Sequence, residues 1–211
     1  YPPSCRLFDQ IDQRMGDFIA RLLKVDYPQA KRIQKEFFYE YGTTLRGLMT
    51  RHGVAPDEFL DYVHDIDHSP VPEDAALGAA LERLPGHKVI FTNGTVAHAE
   101  KVLARIGISG HFSGIFDIVH SDYLPKPARA PYEAFIAAHG IDPARAAMFE
   151  DIARNLEVPH ALGMVTVLVT SPDNDDGNLL NDRLGRPHDL AFVQHVTGDL
   201  AQFLTGITRG T

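Results

Sequence analysis

The chain has 211 residues, 44% of them hydrophobic and 23% charged, and a formal net charge of -8. It is long enough for one domain with an insertion or for two small domains, and its acidic balance argues against long-range attraction to a nucleic acid polymer or an anionic membrane. The single cysteine, Cys5, rules out an intramolecular disulfide. With no apolar run approaching a membrane span and no signal-peptide pattern, a cytoplasmic location is the expectation.

The first elements read as helices. Leu7, Phe8, Ile11, Met15, Phe18, Ile19, Leu22 and Leu23 recur at three- and four-residue spacing. Further helices are predicted over Pro28–Tyr41, Thr44–Arg51 and Pro56–Val63. The prolines within His68–Asp74 interrupt the pattern, which resumes over Ala75–Leu84 behind an N-terminal cap. From Lys88 the pattern changes. Strands are predicted at Lys88–Phe91, Ile115–Val119, Ala146–Phe149 and Val165–Thr170. Helices at Val96–Ile106, Pro131–His139 and Ala153–Leu162 alternate with them. Residues 171–190 are loop-rich, and the stretch after them predicts a last strand and helix.

Alternation of this kind predicts an α/β fold, a Rossmann-like parallel sheet with helices on both faces. The predicted organisation is a mainly helical domain over residues 1–84 and an α/β core over 85–211. In such a sheet, ligands sit beyond the carboxyl ends of the strands. Three strand ends carry polar groups: Thr92-Asn93-Gly94, the loop holding Lys126 between two prolines, and Glu150-Asp151 after Phe149. Singly, these read as a helix cap, a solvated lysine and a favourable helix-dipole pair. Together, a hydroxyl with backbone donors, a cation and two carboxylates on successive strands suit a phosphoryl group and Mg²⁺. Thr92 and the amides of Asn93 and Gly94 would bind phosphoryl oxygens, Lys126 would offset charge, and Asp151 with Glu150 would hold the metal.

At these residues the chain resembles the haloacid dehalogenase superfamily: "KVIFTNGT", "PKP" and "MFEDIARNL" look like its second, third and fourth motifs. The helical stretch before the sheet resembles the superfamily's helical cap. "YEYGTTLRGLMTRHGV" and "VHDID" are similar to segments of the pyrimidine 5′-nucleotidase-like branch. The fourth motif departs from the family pattern, with Ile152 where a serine is usual. Asn155 stands at the matching position, where its amide would orient Lys126 or the acidic pair and serve the substrate site.

The resemblance implies an aspartate nucleophile in an Asp-x-Asp-x-Thr motif that ends a first strand, forming an aspartyl phosphate. That motif is typically followed by Leu-Tyr-Pro, and this chain opens at Tyr1-Pro2-Pro3. Asp9 and Asp12 have the wrong spacing and lie in a helical pattern, and Cys5 reads as a packed residue. The implied strand lies mid-sheet, between those ending at Thr92 and Phe149. Its loss would remove several buried side chains, at roughly 1.5–3 kcal/mol each, from a typical stability of about 5–15 kcal/mol. The expectation is therefore a natural protein with a short N-terminal segment, and residues 1–211 that alone do not turn over a phosphate ester by this route.

The favoured function is a Mg²⁺-dependent phosphomonoester hydrolase acting on a small phosphorylated metabolite, with pyrimidine nucleoside 5′-monophosphates among the candidates. Tyr39, Tyr41, Thr43, Thr44 and Arg46 either shape a base pocket or simply pack. His64 and His68, four residues apart around two aspartates, read as a metal pair or, more simply, as a polar connection. The alternatives are a metal-independent 2-haloacid dehalogenase, which the acidic pair disfavours, and a catalytically silent nucleotide-binding protein.

Overall fold

The structure, a computed structural model, describes residues 1–171 and 190–209. Four helices come first: α1 (Leu7–Leu23), α2 (Tyr27–Tyr41), α3 (Thr44–His52) and α4 (Pro56–His64). Local chemistry sets their ends. Asp26 accepts from the Gln29 amide at 2.8 Å to start α2, and Thr43 accepts from the Arg46 amide at 3.1 Å to start α3. Gly42 and Gly53, both with left-handed φ, end those two helices. The helices close on Phe18, Ile19, Phe37, Leu48, Phe59 and Val63, and Ile118 enters this cluster from the α/β part.

Helix α5 (Ala75–Arg83) leads into β1 (Val89–Phe91), α6 (Val96–Ile106) and β2 (Gly114–Phe116). Then come α7 (Arg129–His139), β3 (Ala147–Glu150), α8 (Glu157–Ala161), β4 (Val165–Val169), β5 (His195–Thr197) and α9 (Leu200–Arg209). Every strand pair among the described residues is parallel. Alternation along the strands sorts the side chains into two layers. Ile90, Ile115 and Phe149 face α5, α6 and α9, while Phe91, Phe116, Met148 and Leu168 face α7 and α8. The fold is thus α/β, with a parallel sheet between helical layers and a helical unit at one side.

The pairing departs from a single continuous sheet. β1 pairs with β2, and β3, β4 and β5 form a second set in that order. Among the described residues no ladder joins β1 to β3, which is where the family resemblance puts a further strand. Two predicted elements are also shorter than expected. The strand predicted to reach Val119 stops at Phe116, because the Asp117 carboxylate accepts from the amides of Val119 and His120, both at 3.0 Å, and folds the chain into a turn. The helix predicted over Ala153–Leu162 is a 3₁₀ turn at Ala153–Leu156 followed by α8. Pro159 explains this, since its ring would collide with the Asn155 carbonyl in a continuous α-helix. Much of the predicted loop at 171–190 lies outside the described residues. No described helix is long and apolar enough to cross a membrane.

Candidate active site

The carboxyl end of β1 continues the sheet's bonding for one residue, as the Thr92 amide donates to the Phe116 carbonyl at 2.9 Å. The chain then turns. Thr92 Oγ1 accepts from the Gly94 amide at 2.9 Å, and Thr95 caps α6 by accepting from the His98 amide at 3.3 Å. The Gly94 amide, expected at a phosphoryl oxygen, is here spent on Thr92. The Thr92 hydroxyl, already an acceptor, retains its own proton as a donor.

Asn93 does something the sequence did not reveal. Its Oδ1 accepts from the Lys126 amide at 2.9 Å, and its Nδ2 lies 3.4 Å from the Lys126 carbonyl. The side chain therefore clamps the backbone of the residue that carries the cation. Lys126 is 8% exposed, and its Nζ donates to the Phe91 carbonyl at 2.8 Å and to Glu150 Oε1. The ammonium group also lies 4.8 Å from the centre of the Phe91 ring. A single cation thus fastens the end of β1 to the end of β3.

Glu150 and Asp151, adjacent in sequence, have different environments. Glu150, the last residue of β3, is buried; its Oε1 also receives Asn155 Nδ2 at 3.3 Å, and its Oε2 receives the Ile152 amide at 3.4 Å. Asn155 is itself buried, so its side chain braces Glu150. Beneath them, the fully buried Tyr132 donates to the Asn155 carbonyl at 2.7 Å. Asp151 lies past the strand and is exposed. Its carboxyl is nonetheless pushed above the usual range, first by the protein mass around it and then by the charge and hydrogen bond of Glu150; Lys126 opposes the shift. Crowded acidic oxygens of this kind fit Mg²⁺, a hard cation that keeps several waters and needs only one or two carboxylates. Among the described residues, no group of three or more metal-ligating side chains occurs.

The helical unit covers this region. A methyl placed on Gly42, at the end of α2, would stand 3.5 Å from the Pro125 ring, so this end of α2 lies against the neighbour of Lys126. The Arg154 guanidinium lies 5.8 Å from the centre of the Phe38 ring, and its buried Nε has no hydrogen-bond partner among the described residues. Nothing near Arg154 in the chain signals this contact with α2.

The other sequence candidates have local roles. Thr43 caps α3, and the buried Thr44 donates to the Gln34 carbonyl at 3.3 Å. Tyr41 packs edge-on against Phe37, and Tyr39 is exposed. Asp9 pairs with Arg6, and Asp12 with Lys31 and Gln34, so neither stands at the strand ends. A groove of about 700 Å³ lined by Phe149, Val167, His195 and Phe203 holds none of the strand-end polar residues.

The chain is 25% identical over 186 residues to phosphate metabolism protein 8 of Saccharomyces cerevisiae, an alignment covering 80% of this chain and 57% of that protein. Its span is thus little more than half of that relative. Among solved structures it resembles a HAD phosphatase from Thermococcus onnurineus, with TM-score 0.58, 14% identity and coverage of 95% of this chain and 90% of that one. It also resembles L-2-haloacid dehalogenase from Xanthobacter autotrophicus with chloropropionic acid covalently bound, with TM-score 0.55, 16% identity and coverage of 95% and 94%. At such identities the two structures establish the shared fold alone. The model of the haloacid dehalogenase-like hydrolase family matches residues 8–163, a span that takes in the helical unit and all three strand-end clusters. The chain therefore belongs to the haloacid dehalogenase-like hydrolases.

Proposed function

We propose that this chain forms the phosphoryl- and metal-binding part of a Mg²⁺-dependent phosphomonoester hydrolase acting on a small phosphorylated metabolite, with pyrimidine nucleoside 5′-monophosphates as the first class to test. One observation carries the reading. The Lys126 ammonium, from a loop far along the chain from both, joins the end of β1 to Glu150 at the end of β3. Thr92 and Asp151 are the residues that follow these two strand ends, Phe91 and Glu150, in the chain.

In this reading Thr92 donates to a phosphoryl oxygen and Lys126 offsets the charge that builds on the phosphoryl group. Asn93 and Asn155 hold Lys126 and Glu150 in place. Asp151, with Glu150 behind it, would hold Mg²⁺, which when bound supplies positive charge to the phosphoryl oxygens. The attacking group would be an aspartate carboxylate: it takes the phosphoryl group as the ester P–O bond breaks and the protonated alcohol leaves, and water then cleaves the aspartyl phosphate to free the carboxylate and inorganic phosphate. Asp9 and Asp12 do not fill that role, since their partners lie elsewhere. The route needs a carboxylate at the end of a strand between β1 and β3.

The test is phosphate release from a panel of phosphorylated metabolites by the natural protein. Lys126→Ala and Asp151→Asn should each lower kcat by about 100-fold or more. Normal turnover in either variant would refute the assigned role. Halide release from 2-haloacids that resists a chelator would replace the reading with the dehalogenase one.

A further inference from the structure

Three imidazoles meet where the helical unit joins the sheet. His64 ends α4, His68 lies in the connection that follows, and His98 stands in the first turn of α6. The rings of His64 and His98 stack, with centres 4.6 Å apart and planes inclined by 20°, and His68 tilts against His98 at 5.1 Å. His68 and His98 are both buried.

Their hydrogen bonds fix the proton positions. Nδ1 of His68 lies 3.0 Å from the Ile66 carbonyl, and its Nε2 lies 3.1 Å from Nδ1 of His98. A carbonyl only accepts, so His68 carries its proton on Nδ1, and its Nε2 accepts from the Nδ1–H of His98. A second proton on His68 would require His98 to carry its own proton on Nε2 instead of Nδ1, reversing this hydrogen bond. Burial and mutual repulsion disfavour charge on the cluster, pushing His64 down to about 4 and His98 to about 3. Lys101 on α6 opposes a charge on all three rings, Asp61 on α4 favours one on His64, and Asp67 favours one on His68. Arg105 on α6 acts on Asp67 and donates to the Ser69 carbonyl at 2.8 Å.

The outer end of the stack touches the loop after β1. Nδ1 of His64 lies 3.4 Å from Thr95 Oγ1, the same oxygen that caps α6. A methyl placed on Gly94 would stand 3.4 Å from Cδ2 of His98 and 3.7 Å from Nε2 of His64. The helical unit therefore reaches this loop through the His64 ring, which lies stacked on His98 of α6.

We propose that His64 is a positioning residue for the phosphoryl-binding loop: its Nδ1, facing Thr95 Oγ1, sets the Gly94–Thr95 backbone against α4, and the His98 ring stacked on it holds the imidazole in place. The assignment rests on the reading of Thr92–Gly94 as the phosphoryl site. It goes beyond that reading by making the grip of the loop on phosphate depend on a contact from the helical unit.

The test uses the natural protein at pH 7, with inorganic phosphate as the probe and the Gly94 and Thr95 amide resonances as reporters. His64→Phe keeps a ring for the stack but loses Nδ1. It should shift both amides and weaken phosphate binding about fivefold. His64→Asn, whose amide can stand in for Nδ1, should recover most of the loss, which a purely structural role would not predict. A folded His64→Phe protein with unchanged amides and unchanged phosphate affinity overturns the proposal. Should that variant fail to fold, acid titration of the wild type decides: the two amides must move together with the His64 ring signals, and independence overturns the proposal. A wild type that binds no phosphate, while both amides still respond to the substitution, overturns the phosphoryl-site reading instead.

Discussion

Lys126 and Glu150 are each 8% exposed and joined to one another. Removing one charge strands the other in a dry site. Lys126→Met should therefore cost about 3–5 kcal/mol of stability. The double variant Lys126→Met with Glu150→Leu should recover most of that, because apolar replacement of a buried pair is often neutral. Urea denaturation of the three proteins checks the pattern, and a single variant as stable as wild type would contradict it. The acidic pair also shows where sequence runs out. Glu150 and Asp151 stand side by side as equals in the chain, yet one points inward beside Lys126 and the other lies exposed. Which does which depends on where β3 ends, and a shift of one residue exchanges the faces. Thr92 and Glu150 were legible as strand-end residues because each closes an apolar run, whereas Lys126 comes from the loop well past β2. The Asn93 clamp was not legible, since its partner lies 33 positions away.

Helix packing provides a contrast between two glycines. Exchanging a helical glycine for alanine usually gains about 1 kcal/mol. At Gly47, in α3, the new methyl would meet Cβ and Cγ of the buried Phe37 at 2.4 Å. Overpacking costs of about 1–3 kcal/mol or more then outweigh the gain, and Gly47→Ala should lower the melting temperature. At Gly16 the nearest atom is the exposed Tyr27 ring at 2.7 Å, which can swing aside, so Gly16→Ala should be neutral or mildly stabilising. Equal losses in the two variants would refute this account. Asp117 has a similar role at the end of β2. It is 3% exposed and accepts from the Val96 amide at 2.9 Å and from His120 Nδ1 at 2.6 Å, besides its two turn amides. Burial alone would raise its carboxyl, but the His120 and Val96 donors outweigh burial and hold it below the usual range. The caps before α5 and α6, at Asp74 and Thr95, were readable from the polar turns that precede those helices. The cap that Asp117 supplies to α6 was not, because it crosses from another strand.

For the molecule as a whole, acid is the informative stress. His64 and His98 stay neutral in the fold down to about 4 and about 3, whereas an unfolded imidazole takes its proton near 6.5. The unfolded chain therefore binds more protons as pH falls, and the fold loses about 1.4 kcal/mol per pH unit for each such ring below that point. Their contribution is whole above pH 6.5 and erodes toward pH 4, so the urea midpoint should fall between pH 7 and pH 5. An unchanged midpoint would contradict the burial of these rings. Metal should act in the opposite direction: saturating Mg²⁺ should raise the melting temperature by roughly 2–4 °C, and Asp151→Asn should abolish the effect. The layered α/β plan was visible in the sequence because strand and helix periods differ. The split between β1 and β3 falls where the family resemblance implies a further strand, whereas the His64–His98 stack depends on how the helical unit settles against α6. The shielding of Lys126 also has a preparative consequence. Its amine is inaccessible to cyanate while the chain is folded, but open to carbamylation once the chain is dissolved in aged urea. Material refolded from such urea would lose the ammonium that ties β1 to β3, and with it the tie itself.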